Sequence, residues 1–164
     1  PKIKSDVIYL AVGDGPEHER LLQLKDELEF KGSLHFVGKQ PDDLLRKSYA
    51  AADVFIMPNI PVEGDMEGFG IVMLEANLAS TPAVAADLEG IKDVISDGEN
   101  GFKVAVRDSD TFAAKIDKVL TSDYSTLSES SRNYIEQNFA WERVADRYIS
   151  YLGEVIKDHS THNG

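Results

Sequence analysis

Short apolar runs alternate with longer helical patterns along almost the whole chain, and this alternation is the feature that most limits its fold. Val7 to Val12, Leu34 to Val37, Val54 to Met57, Pro82 to Ala86 and Phe102 to Val106 are short apolar runs bounded by Gly, Pro, Asp or Asn, and they read as strands. Between them lies a helix that opens at Pro16, carries Leu21, Leu22, Leu24 and Leu28 and stops near Gly32. Further helices are expected from Pro41-Asp42 through Ala51, from about Phe69 to Ala79, and briefly near Ile91 to Ile95. After the turn Asp97-Gly98-Glu99-Asn100-Gly101, three more cover Thr111 to Leu120, Leu127 to Asn138 and Trp141 to Ile156. Strand and helix repeated in this order form a parallel sheet with crossover helices. Ligands of such sheets collect at the carboxyl ends of the strands. The loops at Gly13 to Pro16, Gly38 to Gln40, Asn59 to Gly70 and Asp87 to Gly90 are therefore expected to converge.

Within the otherwise uncharged run Gly68 to Ala86 stands one carboxylate, Glu75, with Glu67 just before the run. The apolar context places Glu75 in or beside a core, where an ionised carboxylate is costly unless donors satisfy it. Gly68 and Gly70 let a ligand approach the backbone where the helix begins, and the free amides of a helix N-terminus suit a phosphate. Glu75 would lie about 7 Å farther along that helix. Carboxylates accept hydrogen bonds from vicinal hydroxyls, so a nucleotide joined to a sugar is the natural ligand.

A formal net charge of -12 opposes nucleic acid or an anionic membrane as the main partner. The absence of Cys excludes disulfides and thiolate metal sites. No run is apolar for long enough to span a bilayer and no basic-then-apolar leader opens the chain, so a cytoplasmic location is the expectation. Glu63, Asp65 and Glu67 alternate, but they lack the rest of a calcium loop and no metal is assigned. Glu63 and Asp65 read as a solvated or lid-like loop. A hydrolase with two carboxylates does not need a glycine-opened helix aimed at phosphate. His159 and His162 fall in a polar tail, and neither His18 nor His35 has an acid or nucleophile pattern around it. Trp141 and the late aromatic residues are expected to pack helices.

Glu67-Gly68-Phe69-Gly70-Ile71 followed by Glu75-Ala76 resembles the E-x7-E motif of retaining GT-B glycosyltransferases, the group 1 or fourth family. Flanking segments match in the same order: Val12-Gly13-Asp14-Gly15-Pro16, Phe36-Val37-Gly38, Ala52 to Pro58, Thr81 to Ala85, Gly90 to Ile95 and Asn138 to Glu142. Motifs in a fixed order are far more specific than any one of them. The resemblance implies a Rossmann-like donor-binding domain, residues 1–157, forming one half of a GT-B fold, with a polar tail at 158–164 expected to fray. It implies transfer of a sugar from a nucleoside-diphosphate sugar to an acceptor hydroxyl with retention of configuration, without metal or cofactor. Glu67 would contact the donor sugar and act catalytically by positioning and charge stabilisation. Glu75 would take the ribose diol, and the backbone of Gly68, Phe69, Gly70 and Ile71 would face sugar or phosphate. Gly13, Asp14 and Gly15, with Gly38 and Lys39, would line the donor site.

Two departures from the family pattern stand out. Ser80 occupies the place of a glycine before the Thr81-Pro82 strand, and Glu89-Gly90 replaces a glycine pair. Nothing before Val7 resembles the family's opening strand and helix with its diphosphate-clamping Arg and Lys. A gap in the sheet, a missing amino-terminal acceptor-binding domain and an inactive isolated chain are the corresponding expectations. A non-catalytic nucleotide-sugar binding module and a fragment of a GT-B nucleotide-sugar epimerase are the competing readings.

Overall fold

Among the described residues every strand pairing in the computed structural model is parallel, as short strands separated by helices require. The structure describes residues 2–28, 32–62, 70–88 and 90–162, with side chains of the last helix described to Ile156. In chain order the elements are β1 (Val7–Ala11), α1 (His18–Glu27), β2 (Gly32–Phe36), α2 (Asp42–Ala51), β3 (Phe55–Met57), α3 (Ile71–Leu78), β4 (Ala83–Ala86), β5 (Gly101–Val104), α4 (Ser109–Thr121), α5 (Tyr124–Asn138) and α6 (Trp141–His162). β1 pairs with β2, and β3, β4 and β5 pair in that order. No strand pairing joins the two ladders among the described residues.

The core sits on β4, which is buried along its whole length. Its side chains alternate between two apolar clusters because successive residues of a strand point to opposite faces. Ala83 and Ala85 join Met57, Met73, Ile91, Val94, Ile95 and Ile135, so α3 and α5 cover that face. Val84 joins Phe102, Val104, Ile116 and Val119, so α4 covers the other. Met73, Ile91 and Val94 are fully buried, each worth about 1.5–3 kcal/mol relative to exposure. β1 and α1 contribute little to this core: Ile8 is 78% exposed and no residue of α1 is buried.

Helix ends follow local chemistry. Asp108 and Asp123 accept hydrogen bonds from the amides of Thr111 and Thr126 and cap α4 and α5. At the carboxyl end of α3, the Thr81 amide donates to the Ala76 carbonyl and the Ser80 amide to that of Asn77. This is the Schellman pair of bonds. Ser80 adopts φ 65° to make it, a left-handed conformation that explains why glycine suits this place.

Three expectations are corrected. The segment 90–94 forms turns instead of a helix, since the Val94 carbonyl is taken by Asn100 Nδ2 and helical bonding does not propagate. α6 continues past Ile156 to His162. Trp141 is 85% exposed, and Tyr148 and Tyr151 of the same helix are exposed with it, so the aromatic residues of α6 do not pack between helices as expected.

Candidate functional site

α3 starts at Ile71, two residues later than expected, because Gly70 stands before it at φ 67°. Among the described residues no side chain caps this end; the Met73 amide donates to the Gly70 carbonyl, and the amides of Ile71 and Val72 are the ones open to an anion. A Cβ on Gly70 would lie 2.5 Å from Met73 Cε, so the glycine is required by the turn as well as by any ligand. Glu67, Gly68 and Phe69 lie outside the described residues.

Glu75 is exposed, which corrects the expectation of a buried carboxylate. The reason is helical period: Met73, Ala76 and Asn77 face inward, and Ile71, Glu75 and Leu78 share the outward face. Ile71 is 64% exposed, so the apolar run does have a surface-facing side. Glu75 lies about 6 Å along the axis from Ile71, on the same stripe.

A buried tyrosine reaches Glu75. Tyr49, on α2, is only 7% exposed and its hydroxyl donates to Glu75 Oε2 at 3.2 Å. Burial, the Glu75 charge and this bond push the Tyr49 hydroxyl up to about 12. The tyrosine is held from two other sides, edge-on to Phe55 with 5.8 Å between ring centroids, and by the Thr81 hydroxyl on its carbonyl at 2.6 Å. Sequence reading passes over Tyr49, whose only signal is an aromatic residue on the inward face of a predicted helix.

The remaining candidates form a second group at the carboxyl ends of β1 and β2. The Gly13 amide donates to the Gly38 carbonyl at 2.9 Å, which joins those two loops. Asp14 accepts from the Gly15 amide at 2.8 Å, and the Gly15 carbonyl accepts from the His18 amide at the start of α1. Lys39 is exposed beside Gly38. Gly70 in turn lies near Ile91, so the loops after β3 and β4 approach each other. The structure thus brings Gly13, Asp14, Gly15, Gly38 and Lys39 together in one place and Gly70, Ile71 and Glu75 in another. These groups sit on different ladders.

A cavity of about 470 Å³ opens between Pro58, Ile60, Ala86, Arg107 and Phe112, and none of the predicted site residues that the structure describes lines it. Among the described residues no three His, Asp or Glu side chains converge as metal ligands, and no helix is long and apolar enough to cross a membrane.

Parallel ladders flanked by helices, with loops at the strand ends and a glycine-led helix after β3, define an α/β domain of the GT-B glycosyltransferase type. The chain belongs to the family of glycosyl transferases group 1, which it matches over residues 1–141. It is 28% identical over 155 residues to an N-acetyl-alpha-D-glucosaminyl L-malate synthase of Bacillus anthracis, covering 93% of this chain and 39% of that protein. It is 34% identical over 150 residues to a D-inositol 3-phosphate glycosyltransferase of Geodermatophilus obscurus, covering 91% and 32%. Among solved structures, a sucrose-phosphate synthase of Thermosynechococcus elongatus superposes with a TM-score of 0.70 at 27% identity, covering 91% of this chain and 38% of that one. The Anabaena protein HepE, solved with UDP and glucose, shares the fold at a TM-score of 0.71 and 23% identity, covering 93% and 42%. The chain therefore spans well under half the length of each.

Proposed function

We propose that this chain is the carboxyl-terminal, donor-binding part of a family 4 glycosyltransferase, moving a sugar from a nucleoside-diphosphate sugar to an acceptor hydroxyl with retention of configuration. The observation that carries the proposal is the geometry of α3. Its N-terminus after Gly70, which no side chain of the described residues caps, and the exposed Glu75 one turn on offer a phosphate cradle and a diol acceptor. As the sugar leaves, negative charge grows on the diphosphate, and amides already aimed at that position stabilise the transition state more than the ground state. This role needs no metal. Glu67 is assigned to the donor-sugar hydroxyls, Glu75 to the ribose, and the group around Gly13, Gly38 and Lys39 to the rest of the nucleotide. Residues 1–157 make up the proposed donor-binding unit. We further place the reaction in the cytosol, the compartment the composition favours. The presence of UDP and glucose in the HepE structure supports this ligand class.

Titration calorimetry of the full-length protein that carries this sequence, against UDP, GDP and ADP with and without an attached sugar, tests the reading. Saturable binding of one base, weakened by Glu75→Gln, is the expected result. Absence of binding to all three, or binding indifferent to Glu75→Gln, would overturn the assignment.

A further inference from the structure

The hydroxyl of the buried Tyr49 makes a part-buried hydrogen bond to the exposed carboxylate of α3, and the proposed chemistry does not yet use it. We propose that Tyr49 is a positioning residue for Glu75: it holds Oε2 and turns Oε1 toward the ligand diol. This rests on the assignment of Glu75 to the ribose given above.

Three observations support it. Tyr49 is a fixed post, since its ring packs edge-on to Phe55 and its carbonyl is bonded to Thr81 Oγ1 at 2.6 Å. Glu75 has the opposite character, a long side chain on an exposed helix face with several rotamers open to it. The hydroxyl donates its proton to Oε2, which leaves the lone pairs of Oε1 for a diol. At 3.2 Å the bond is longer than the optimum for O–H···O, so its effect is to select an orientation more than to add strength. A carboxylate already turned toward its ligand loses less freedom on binding, and affinity rises for that reason.

The test is a double-mutant cycle of Tyr49→Phe and Glu75→Gln in the full-length protein, read by calorimetry with the nucleoside diphosphate it binds and with the 2′,3′-dideoxy form. Tyr49→Phe keeps the ring, the Phe55 contact and the backbone bond. It is expected to weaken the ribonucleotide about threefold to tenfold, to leave the dideoxy nucleotide unchanged, and to have no further effect once Glu75 is Gln. Equal losses on both nucleotides, or an equal loss in the Glu75→Gln background, would make Tyr49 merely structural and overturn the proposal while leaving Glu75 on the ribose. A Glu75→Gln variant that binds like wild type removes the underlying assignment and the proposal together. Should Tyr49→Phe fail to fold, Glu75→Asp replaces it: the shorter acid, drawn out of reach of Tyr49, should lose the preference for ribose. A retained preference would overturn the proposal.

Discussion

Asn77 and Asn100 are fully buried and bonded to each other, Asn100 Nδ2 donating to Asn77 Oδ1 at 2.8 Å. Asn77 also donates to the carbonyls of Thr81 and Asn100, and Asn100 donates to the Val94 carbonyl while accepting the Ser96 amide. The pair ties the inner face of α3 to the turn before β5, and so fixes the helix that carries Glu75. Asn77→Ala leaves the Thr81 carbonyl and Asn100 Nδ2 buried without these partners, and a loss of about 2–4 kcal/mol is expected. Urea unfolding checks it; a loss below about 1 kcal/mol would mean that water replaces the amide.

Ser80 supplies a prediction of opposite sign. Its φ of 65° closes the end of α3, a conformation costing a non-glycine residue about 1–2 kcal/mol. Ser80→Gly relieves that cost but adds freedom to the unfolded chain, for a net gain of roughly 0.5–1 kcal/mol. A higher Tm with unchanged nucleotide affinity is the expected outcome. A lower Tm would show that the serine side chain contributes something the backbone geometry does not reveal.

Gly70 is the mirror case. Its φ of 67° and the nearby Met73 Cε make Gly70→Ala a folding change first, costing roughly 1–2 kcal/mol. Thermal melts of the variant without nucleotide separate this effect from ligand binding. An unchanged Tm together with lost binding would restore the view of Gly70 as a ligand contact alone.

For the carboxylates of the proposed site, Glu75→Gln is expected to weaken free nucleotide by about 1–3 kcal/mol. Glu67→Ala should spare free nucleotide and impair the nucleotide sugar. Parallel calorimetry on both ligands distinguishes the roles; identical profiles for the two variants would contradict the division of labour.

Acid should loosen the helix starts before it touches the core. Asp108 is held below the usual carboxylate range by bonds from Thr111, Asp123 by bonds from Ser125 and Thr126, and Asp117 by the amides of Lys4 and Ser5. A lowered native pKa stabilises the fold above the unfolded value, near pH 4, and that contribution disappears as pH falls through the native value. Asp123→Ala should therefore melt below wild type at neutral pH, with the difference closing as pH falls through the lowered native value of Asp123. A gap independent of pH would assign the effect to something other than the ionised cap.

The five strands and the major helices were legible because short apolar runs between helical periods leave few alternatives. Gly13 and Gly38 were legible as residues of turns at strand ends, whereas Gly70 was read only as a place for a ligand to approach the backbone, and the left-handed φ of Ser80 became visible only in the structure. The exposure of Glu75 was misread. An apolar run suggests burial, yet an eight-residue helix lying on a sheet must turn one stripe outward, and Ile71, Glu75 and Leu78 occupy it. The helical pattern of Ile91, Val94 and Ile95 was misleading as well, because apolar spacing records which residues are buried and does not say where the Val94 carbonyl finds its donor.

By itself the sequence determined the alternation of strands and helices, the membership of the family and the loops available for a ligand, all properties of local pattern and motif order. Tertiary structure alone decided that Tyr49 meets Glu75, 26 residues away, and that Asn100 meets Asn77, 23 residues away. The physical reason is that periodicity tells which side chains share a face of one element. Hydrogen bonds between elements depend on how two such faces are set against each other, and that arrangement exists only once the helices have packed on the sheet.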